Sequence, residues 1–236
     1  MPDSLQKVKR HLWKPKTMFY IGMIMIIPFL LLAIAGYFEW GILGMFDDYV
    51  AREIIDEREP ILTSMFRMIT ILGNVPPTIL ITIVTSLFIL LKLKNKWLSI
   101  WYLLTVALGA GVLNQVLKYA IRRDRPSSVE HLITQGGYSF PSGHAMGSII
   151  IYGAMIFLIL RLSERLWFRI IATIGLSLLI LAIGVSRIYL GVHFPSDIVG
   201  GYSVGMMWLT FSIGLYGLSL TKRPDIEKIE GHHHKR

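Results

Sequence analysis

The sequence contains no cysteine and little charge, with Asp, Glu, Lys and Arg making up 17% of its 236 residues. The absence of cysteine excludes disulfide bonds, thiolate nucleophiles and metal sites built on cysteine. A soluble domain usually has a charged fraction of about 25%. Here 53% of the residues are hydrophobic and the mean hydropathy is +0.57. The composition therefore indicates an integral membrane protein.

The formal net charge of +9 could suggest a nucleic-acid partner. Membrane proteins, however, collect Lys and Arg in their cytoplasmic loops. We therefore expect the lipid bilayer as a partner and no nucleic acid, and the sequence leaves the oligomeric state open. The length suits one domain. We assign residues 1–220 to a single membrane-embedded domain and residues 221–236 to a polar, mobile cytoplasmic tail.

Six stretches approach the roughly 20 apolar residues that a membrane-spanning helix needs. They are residues 18–37, 76–91, 98–119, 144–160, 170–186 and 197–220. The first has the basic flank of a signal peptide, but its apolar run is longer than usual and no small-residue cleavage site ends it cleanly. We interpret it as a retained helix. The pattern predicts an all-α integral membrane protein, a bundle of six transmembrane helices.

Charge predicts the orientation of these spans. Basic residues cluster around residues 7–16, 92–96, 161–169 and 222–223, which all fall on one side of a six-span bundle. That side is expected to be cytoplasmic, and both termini lie on it. The loop 39–59 on the opposite side holds seven acidic and two basic residues, in agreement with this orientation.

A short helical region is expected on the outer face between the first two spans. Residues 60–73 are apolar but too short to span comfortably, so they form a helix that packs against the bundle or dips into the outer leaflet. The preceding residues alternate acids with Tyr49, Val50, Ile54 and Ile55. This pattern suits an amphipathic helix on the outer surface, flanking a substrate entrance, and it equally suits a plain surface connector.

Three polar motifs interrupt the apolar sequence. The first runs from Lys118 to Arg125-Pro126, the second from Pro141 to His144, and the third from Ser186-Arg187 through His193 to Asp197. Each lies at the outer end of a predicted span, so all three should meet at the outer face. Ionisable residues at membrane depth are costly and usually functional. The motifs therefore mark a candidate site.

Three cations of these motifs, Lys118, Arg125 and Arg187, are suited to holding phosphate oxygens. Taken singly, each could instead extend to lipid headgroups from a helix end. Arg122 and Arg123 belong to no motif, and we predict that both are headgroup contacts.

The second motif is typical of a helix start, where free backbone N–H groups favour an anion. The Ser142 hydroxyl and the Gly143 N–H could therefore donate to a phosphoryl group, although Ser142 could equally be an ordinary N-cap. His193 and Asp197 are four residues apart, so the carboxylate can reach the imidazole. The pair could be a structural hydrogen bond, or it could prepare His193 as a nucleophile, with His144 as general acid.

A metal site is the competing use of the same residues, because two histidines and an aspartate could bind zinc. Three adjacent cations would repel a divalent ion, and they already supply the charge neutralisation that a metal would give. We therefore expect neither a metal nor another cofactor.

The motifs resemble those of the type-2 phosphatidic acid phosphatases, also called lipid phosphate phosphatases. The family signature is Lys-x6-Arg-Pro, then Pro-Ser-Gly-His, then Ser-Arg-x5-His-x3-Asp, and this sequence matches it without departure. The resemblance implies a metal-independent phosphatase in which His193 takes the phosphoryl group, Asp197 supports it and His144 transfers protons. It also implies that a phosphate pocket is lined by Lys118, Arg125, Ser142, Gly143, Ser186 and Arg187.

The chain is similar in size to bacterial members of the family, which implies a plasma-membrane enzyme, and the topology predicted from charge places its site at the outer face. The expected substrate is phosphatidylglycerophosphate, with related lipid phosphates also accepted. Undecaprenyl pyrophosphate is the alternative substrate. A lipid-phosphate binder or transporter without catalysis would need the cations but not both histidines and the aspartate.

Overall fold

The computed structural model describes residues 14–222, within which every regular element is helical. The helices are α1 (Pro15–Tyr37), α2 (Gly41–Ile55), α3 (Pro60–Ile71), α4 (Val75–Leu91), α5 (Lys96–Val106), α6 (Asn114–Ile121), α7 (Gly143–Leu162), α8 (Leu166–Tyr189) and α9 (Pro195–Lys222), with a π-helical segment (Ala107–Leu113) joining α5 to α6. The basic cluster predicted at residues 7–13 and the predicted tail from residue 223 onwards lie outside the described residues.

Five of these helical stretches are long and apolar enough to cross a membrane: α1, the continuous Lys96–Ile121 helix, α7, α8 and α9. Taken together as one span, α3 and α4 are also long and apolar enough for a sixth crossing, with axes that differ by 49°. The predicted all-helical, membrane-spanning bundle is therefore confirmed. The second predicted span is the longer limb of the bent pair, and its shorter limb, α3, packs against α8. The cytoplasmic position of the termini stays a prediction.

Helix α9 packs against both α1 and α7 and forms the centre of the bundle. Glycines let the backbones approach closely: a side chain at Gly22 would meet Phe211, and one at Gly109 would meet Trp208. Helices in lipid gain no hydrophobic energy from associating, so close van der Waals packing at small residues stabilises their contacts. Tight packing around α9 fixes the start of that helix, which carries part of the third motif.

The π-helical segment changes the course of the third span. The Trp208 indole N–H donates to the Thr105 carbonyl at 2.8 Å, and the Asn114 N–H bonds five residues back to Gly109. A side chain that bonds to a backbone carbonyl can interrupt the regular hydrogen bonds of an α-helix and break it. Segments of π-helix are frequent at functional sites. Asn114 and Lys118, one turn apart after the break, both face the cavity described below.

The connection between α2 and α3 is fixed to the end of α8. The Arg58 side chain donates twice to the Tyr189 carbonyl, at 2.7 and 2.9 Å, and the Glu59 N–H donates to the Tyr189 hydroxyl at 3.0 Å. The outer helical region therefore rests on the bundle end where α6 and α8 finish and α7 and α9 begin. We call this the motif end.

Candidate active site

The three sequence motifs meet at the motif end around a cavity of about 260 Å³. The predicted site residues that line it are Lys118, Arg125, Gly143, His144 and His193. The remaining predicted site residues are buried beside it, namely Ser142, Ser186, Arg187 and Asp197. Side chains separated by up to 79 positions in the sequence are thus brought together by four helices and two loops.

His193 and Asp197 are hydrogen-bonded, as their spacing predicts. Nδ1 of His193 lies 3.1 Å from Oδ2 of Asp197, and the same oxygen accepts the Phe194 N–H at 2.9 Å. An ionised carboxylate can only accept, so Nδ1 carries the ring hydrogen and Nε2 keeps a lone pair. The pair therefore presents Nε2 as a nucleophilic nitrogen.

The surroundings keep His193 neutral. Burial, and then the positive charges of Arg125, Arg187 and Lys118, lower the pKa of His193 well below 6.5. Its Nε2 lies 3.2 Å from Nη1 of Arg125, which can donate to the lone pair. At neutral pH the imidazole is therefore unprotonated on Nε2 and held beside a cation.

Arg125 and Lys118 are held by the loop that follows α6. The Arg125 guanidinium donates to the carbonyls of Gly136 at 2.9 Å and Gly137 at 3.0 Å, and to Val192 at 2.6 Å. The Lys118 ammonium donates to the Tyr138 carbonyl in the same loop. Burial lowers the pKa of Arg125, and the charge of Asp197 opposes that shift. The carbonyls orient both cations towards one wall of the cavity.

Arg187 is the most deeply buried of the three motif cations, at 1% exposure. Nη1 donates to the Thr70 hydroxyl at 2.8 Å and Nη2 to Oε1 of Gln135 at 2.6 Å. Its Nε–H has no hydrogen-bond partner among residues 14–222. A buried unpaired donor is costly, and a bound anion would satisfy it.

The two predicted serine ligands already have partners within their own helices. The Ser142 Oγ accepts the Ala145 N–H at 3.4 Å as the N-cap of α7, and the Ser186 hydroxyl donates to the Ile183 carbonyl at 2.6 Å. Gly143 lines the cavity, where a side chain would come 3.0 Å from Oδ1 of Asn114. Phosphate binding by these three residues stays a prediction.

Arg123 is not a headgroup contact, and that prediction is wrong. Its Nη1 donates to Oδ1 of Asp197 at 2.9 Å, and its guanidinium lies 4.3 Å from the ring centre of Phe194. The carboxylate that supports His193 therefore has a cation on its other oxygen. Arg122, by contrast, is exposed, and within residues 14–222 its side chain bonds only to the Tyr119 carbonyl of its own helix end.

Arg123 also links Asp197 to α2. Its Nη2 donates to Oδ2 of Asp47 at 2.7 Å, and Asp47 accepts the Ser196 N–H at 2.8 Å and the Ser196 hydroxyl at 2.7 Å. Asp47 is 1% exposed. We call Asp47, Arg123 and Ser196, together with Asp197, the carboxylate clamp. Helix α2 is therefore joined through the clamp to the start of α9.

His144 begins α7 and contacts the bend between α3 and α4. Its Nε2 lies 2.8 Å from Oδ1 of Asn74. The same bend supplies Thr70, which holds Arg187. The bent pair is therefore part of the site and not only a support for it.

Sequence reasoning missed Asp47, Thr70, Asn74 and Gln135 as site residues. Asp47 is one of seven acids in an outer loop, and nothing in the pattern distinguishes it. Asn74 carried a weak signal, since it stands before Val75-Pro76-Pro77, where a helix start is expected. A polar residue next to a helix start at the outer face could have been tested as a partner for the motif residues.

Comparisons with known proteins show the family of this chain. The PAP2 superfamily matches residues 99–219. Phosphatidylglycerophosphatase B of Bacillus subtilis (strain 168) is 30% identical over 164 residues, which cover 68% of this chain and 78% of that protein. An undecaprenyl-diphosphatase of Sulfolobus acidocaldarius is 31% identical over 152 residues, which cover 62% of this chain and 66% of that protein.

The fold is also similar to a solved structure, that of a transmembrane PAP2-type phosphatidylglycerolphosphate phosphatase from Bacillus subtilis. The TM-score is 0.70 at 28% identity, and the match covers 84% of this chain and 96% of the other. The family model, the relatives and the solved structure all indicate the same superfamily. The chain belongs to the PAP2 superfamily and is a membrane-embedded phosphatase of that family.

Proposed function

We propose that the chain is a metal-independent lipid phosphatase that removes a terminal phosphate through a phosphohistidine on His193. The observation that carries the proposal is the Nε2 lone pair of His193, backed by Asp197, on the wall of a cavity that Lys118 and Arg125 also line. Fixed cations stabilise charge that develops on phosphoryl oxygens without a metal ion, and this supports metal independence.

In the first half of the reaction, Nε2 of His193 attacks phosphorus, and an N–P bond forms as the P–O bond to the leaving group breaks. His144 gives its proton to the departing oxygen, which leaves as an alcohol, or as a lipid monophosphate when the substrate is a pyrophosphate. Asp197 stabilises the positive charge on the phosphorylated imidazole through its bond to Nδ1–H.

In the second half, the neutral His144 takes a proton from water, whose oxygen attacks phosphorus. The N–P bond breaks, its electron pair returns to Nε2 of His193, and inorganic phosphate leaves. Both steps pass through a five-coordinate phosphorus, which vanadate imitates. Arg125 and Lys118 neutralise the phosphoryl oxygens throughout, and the unpaired Nε–H of Arg187 is a further donor for them.

Phosphatidylglycerophosphate is the proposed substrate, with related lipid phosphates also accepted. Two similarities support it, one to the Bacillus subtilis enzyme named for that activity and one to the solved phosphatase with the related fold. Undecaprenyl pyrophosphate is the second candidate, and the similarity to the Sulfolobus undecaprenyl-diphosphatase favours it.

The proposed location is the bacterial plasma membrane, with the motif end facing outward. The argument is the charge of the opposite end, where basic residues follow α4 and α7. Lys and Arg are retained on the cytoplasmic side of membrane proteins, so the cavity would open towards the outer leaflet.

The deciding experiment is phosphate release in detergent and EDTA from phosphatidylglycerophosphate, phosphatidic acid and undecaprenyl pyrophosphate, measured side by side. We expect turnover without metal, the highest kcat/KM with phosphatidylglycerophosphate, and no release by His193→Ala. His131→Ala is the matched control, because His131 is exposed and bonds to the Pro126 carbonyl away from the cavity lining.

Each part of the proposal has its own contrary result. Hydrolysis by His193→Ala at the wild-type rate would refute the nucleophile, and turnover lost in EDTA and restored by a metal would refute metal independence. A higher kcat/KM for undecaprenyl pyrophosphate would favour the second candidate. An acid-labile phosphoryl group trapped on His193 would support the intermediate directly.

A further inference from the structure

Asn74 occupies a capping position without capping its helix. It is the N-cap residue of α4, with φ −71° and ψ 155°, and its side chain makes no capping hydrogen bond. Asparagine is favoured at such a position when its side-chain oxygen accepts the N–H of the second or third helical residue. Asn95, at the same position of α5, does so, with Oδ1 3.0 Å from the Leu98 N–H. In α4 those two residues are Pro76 and Pro77, which have no N–H to donate, so the side chain of Asn74 is available to another partner. The side chain of Asn74 is directed elsewhere.

The partner of Asn74 is the proposed general acid. Oδ1 of Asn74 lies 2.8 Å from Nε2 of His144. Within residues 14–222, neither of these two side chains makes another hydrogen bond. Both side chains lie partly buried beside the cavity, where water competes little for this bond. The contact joins the α3–α4 bend to the first turn of α7.

The bend is shaped to receive the His144 ring. A side chain at Gly73 would come 2.6 Å from Cδ2 of His144, so any larger residue there would displace the ring. The Tyr152 hydroxyl, two turns along α7, donates to the Leu72 carbonyl at 2.9 Å. Helix α7 therefore holds the bend at two points, and this fixes the distance from Asn74 to His144.

We propose that Asn74 is a positioning residue that determines which nitrogen of His144 transfers the proton, an inference that rests on the proposed role of His144 as general acid. The amide oxygen accepts the hydrogen of Nε2, so that nitrogen keeps its hydrogen throughout the cycle. The ring enters the first half-reaction as the imidazolium, whose Nδ1 gives its proton to the leaving oxygen, and in the second half-reaction Nδ1 of the neutral ring takes a proton from water. The proton count on the ring is restored after each turnover.

The leaving group provides the test. An alkoxide leaving from a lipid phosphate needs a proton from a general acid, whereas p-nitrophenolate is stable enough to leave without one. The quantity to compare is kcat/KM, which reports the steps up to release of the leaving group and excludes hydrolysis of the phosphohistidine. For Asn74→Leu we expect a loss of about 10-fold or more with phosphatidic acid, and of less than about 3-fold with p-nitrophenyl phosphate.

Two further variants separate positioning from folding. Asn74→Asp retains an acceptor for the Nε2 hydrogen, so it should keep more activity on phosphatidic acid than Asn74→Leu. The double variant Asn74→Leu/His144→Ala should be no worse than His144→Ala, because both changes remove the same function. Asn95→Leu is the matched control: it removes a true helix cap and should affect both substrates equally.

The outcomes are distinct. Equal losses on both substrates, additive losses in the double variant, or an Asn74→Asp protein as inactive as Asn74→Leu would overturn the positioning role while the proposed function stands. A wild-type protein that hydrolyses neither substrate would overturn the proposed function and the positioning role together. A leaving-group-dependent loss that Asn74→Asp rescues would establish Asn74 as the residue that orients His144.

Discussion

Replacing Arg123 with methionine tests the carboxylate clamp. Arg123→Met keeps much of the side-chain length but removes every donor. It deletes the bonds to Asp197 at 2.9 Å, to Asp47 at 2.7 Å and to the Ser196 hydroxyl at 2.7 Å. We expect a less stable protein and a slower enzyme, because both carboxylates lose their cation while staying buried.

The magnitude follows from burial. The Arg123 side chain is 21% exposed, whereas those of Asp47 and Asp197 are 2% and 0% exposed, so water cannot replace the lost cation at either acid. Removing one partner of a buried ion pair costs about 3–5 kcal/mol. Ser196 still donates to Asp47, and His193 to Asp197, so the loss of unfolding free energy should lie near the lower limit, about 3 kcal/mol.

The assay combines thermal unfolding in detergent with kcat/KM for phosphatidic acid. Arg122→Met is the matched control, since Arg122 is exposed and should behave as wild type. The double variant Asp47→Asn/Arg123→Met also removes the buried negative charge of Asp47, which has lost its cation. Its free energy of unfolding should therefore be about 1–2 kcal/mol higher than that of Arg123→Met. Activity should stay low, at about a tenth of wild type or less, because Asp197 still lacks its cation. Equal Tm and activity in Arg123→Met and Arg122→Met would refute the clamp.

Two predictions remain. Because the pKa of His193 lies well below 6.5, protonation of Nε2 should not lower kcat/KM as the pH falls from 7 to 6.5, and a decline should begin only at lower pH; a kcat/KM that already declines between pH 7 and 6.5 would contradict this. Because the chain has no cysteine, single cysteines can report the orientation: Asp48→Cys should react with a membrane-impermeant maleimide on intact cells, and Lys92→Cys only after permeabilisation. The reverse labelling pattern would place the cavity on the cytoplasmic side.

The sequence was informative where the chemistry is local. A spacing of four residues brings His193 and Asp197 together across one helical turn, and a serine before a glycine predicts the start of α7. Long apolar runs likewise predicted the spans, because an apolar helix in lipid satisfies its own backbone hydrogen bonds. These features depend on neighbours in the chain, so they can be read from one sequence.

The sequence was uninformative where a contact joins distant helices. Arg123 and Arg122 look alike in the sequence, but Arg122 takes a left-handed conformation at the end of α6, with φ 54°. The chain turns there, and Arg123 enters the bundle to meet Asp47, which is 76 positions away. Only Gly, Asn and Asp visit this conformation routinely, so an arginine gave no signal of the turn.

The π-helical segment was missed for the same reason, because the Trp208 indole that bonds to the Thr105 carbonyl comes from α9. The break between α3 and α4 was predicted, but the hydrogen bond from the Tyr152 hydroxyl of α7 to the Leu72 carbonyl was not. Neither partner can be assigned until the helices are packed.

The carboxylate clamp and the Asn74 contact each include a residue from the first helices of the chain, which matters when segments are exchanged between relatives. The family match covers residues 99–219, which hold every motif residue, whereas Asp47 and Asn74 precede it. Two of the residues that hold the reacting groups in place therefore come from helices that precede the family match. A chimaera that joins residues 99–219 to the first helices of another member should be active only if those helices present a carboxylate to Arg123 and an acceptor to His144.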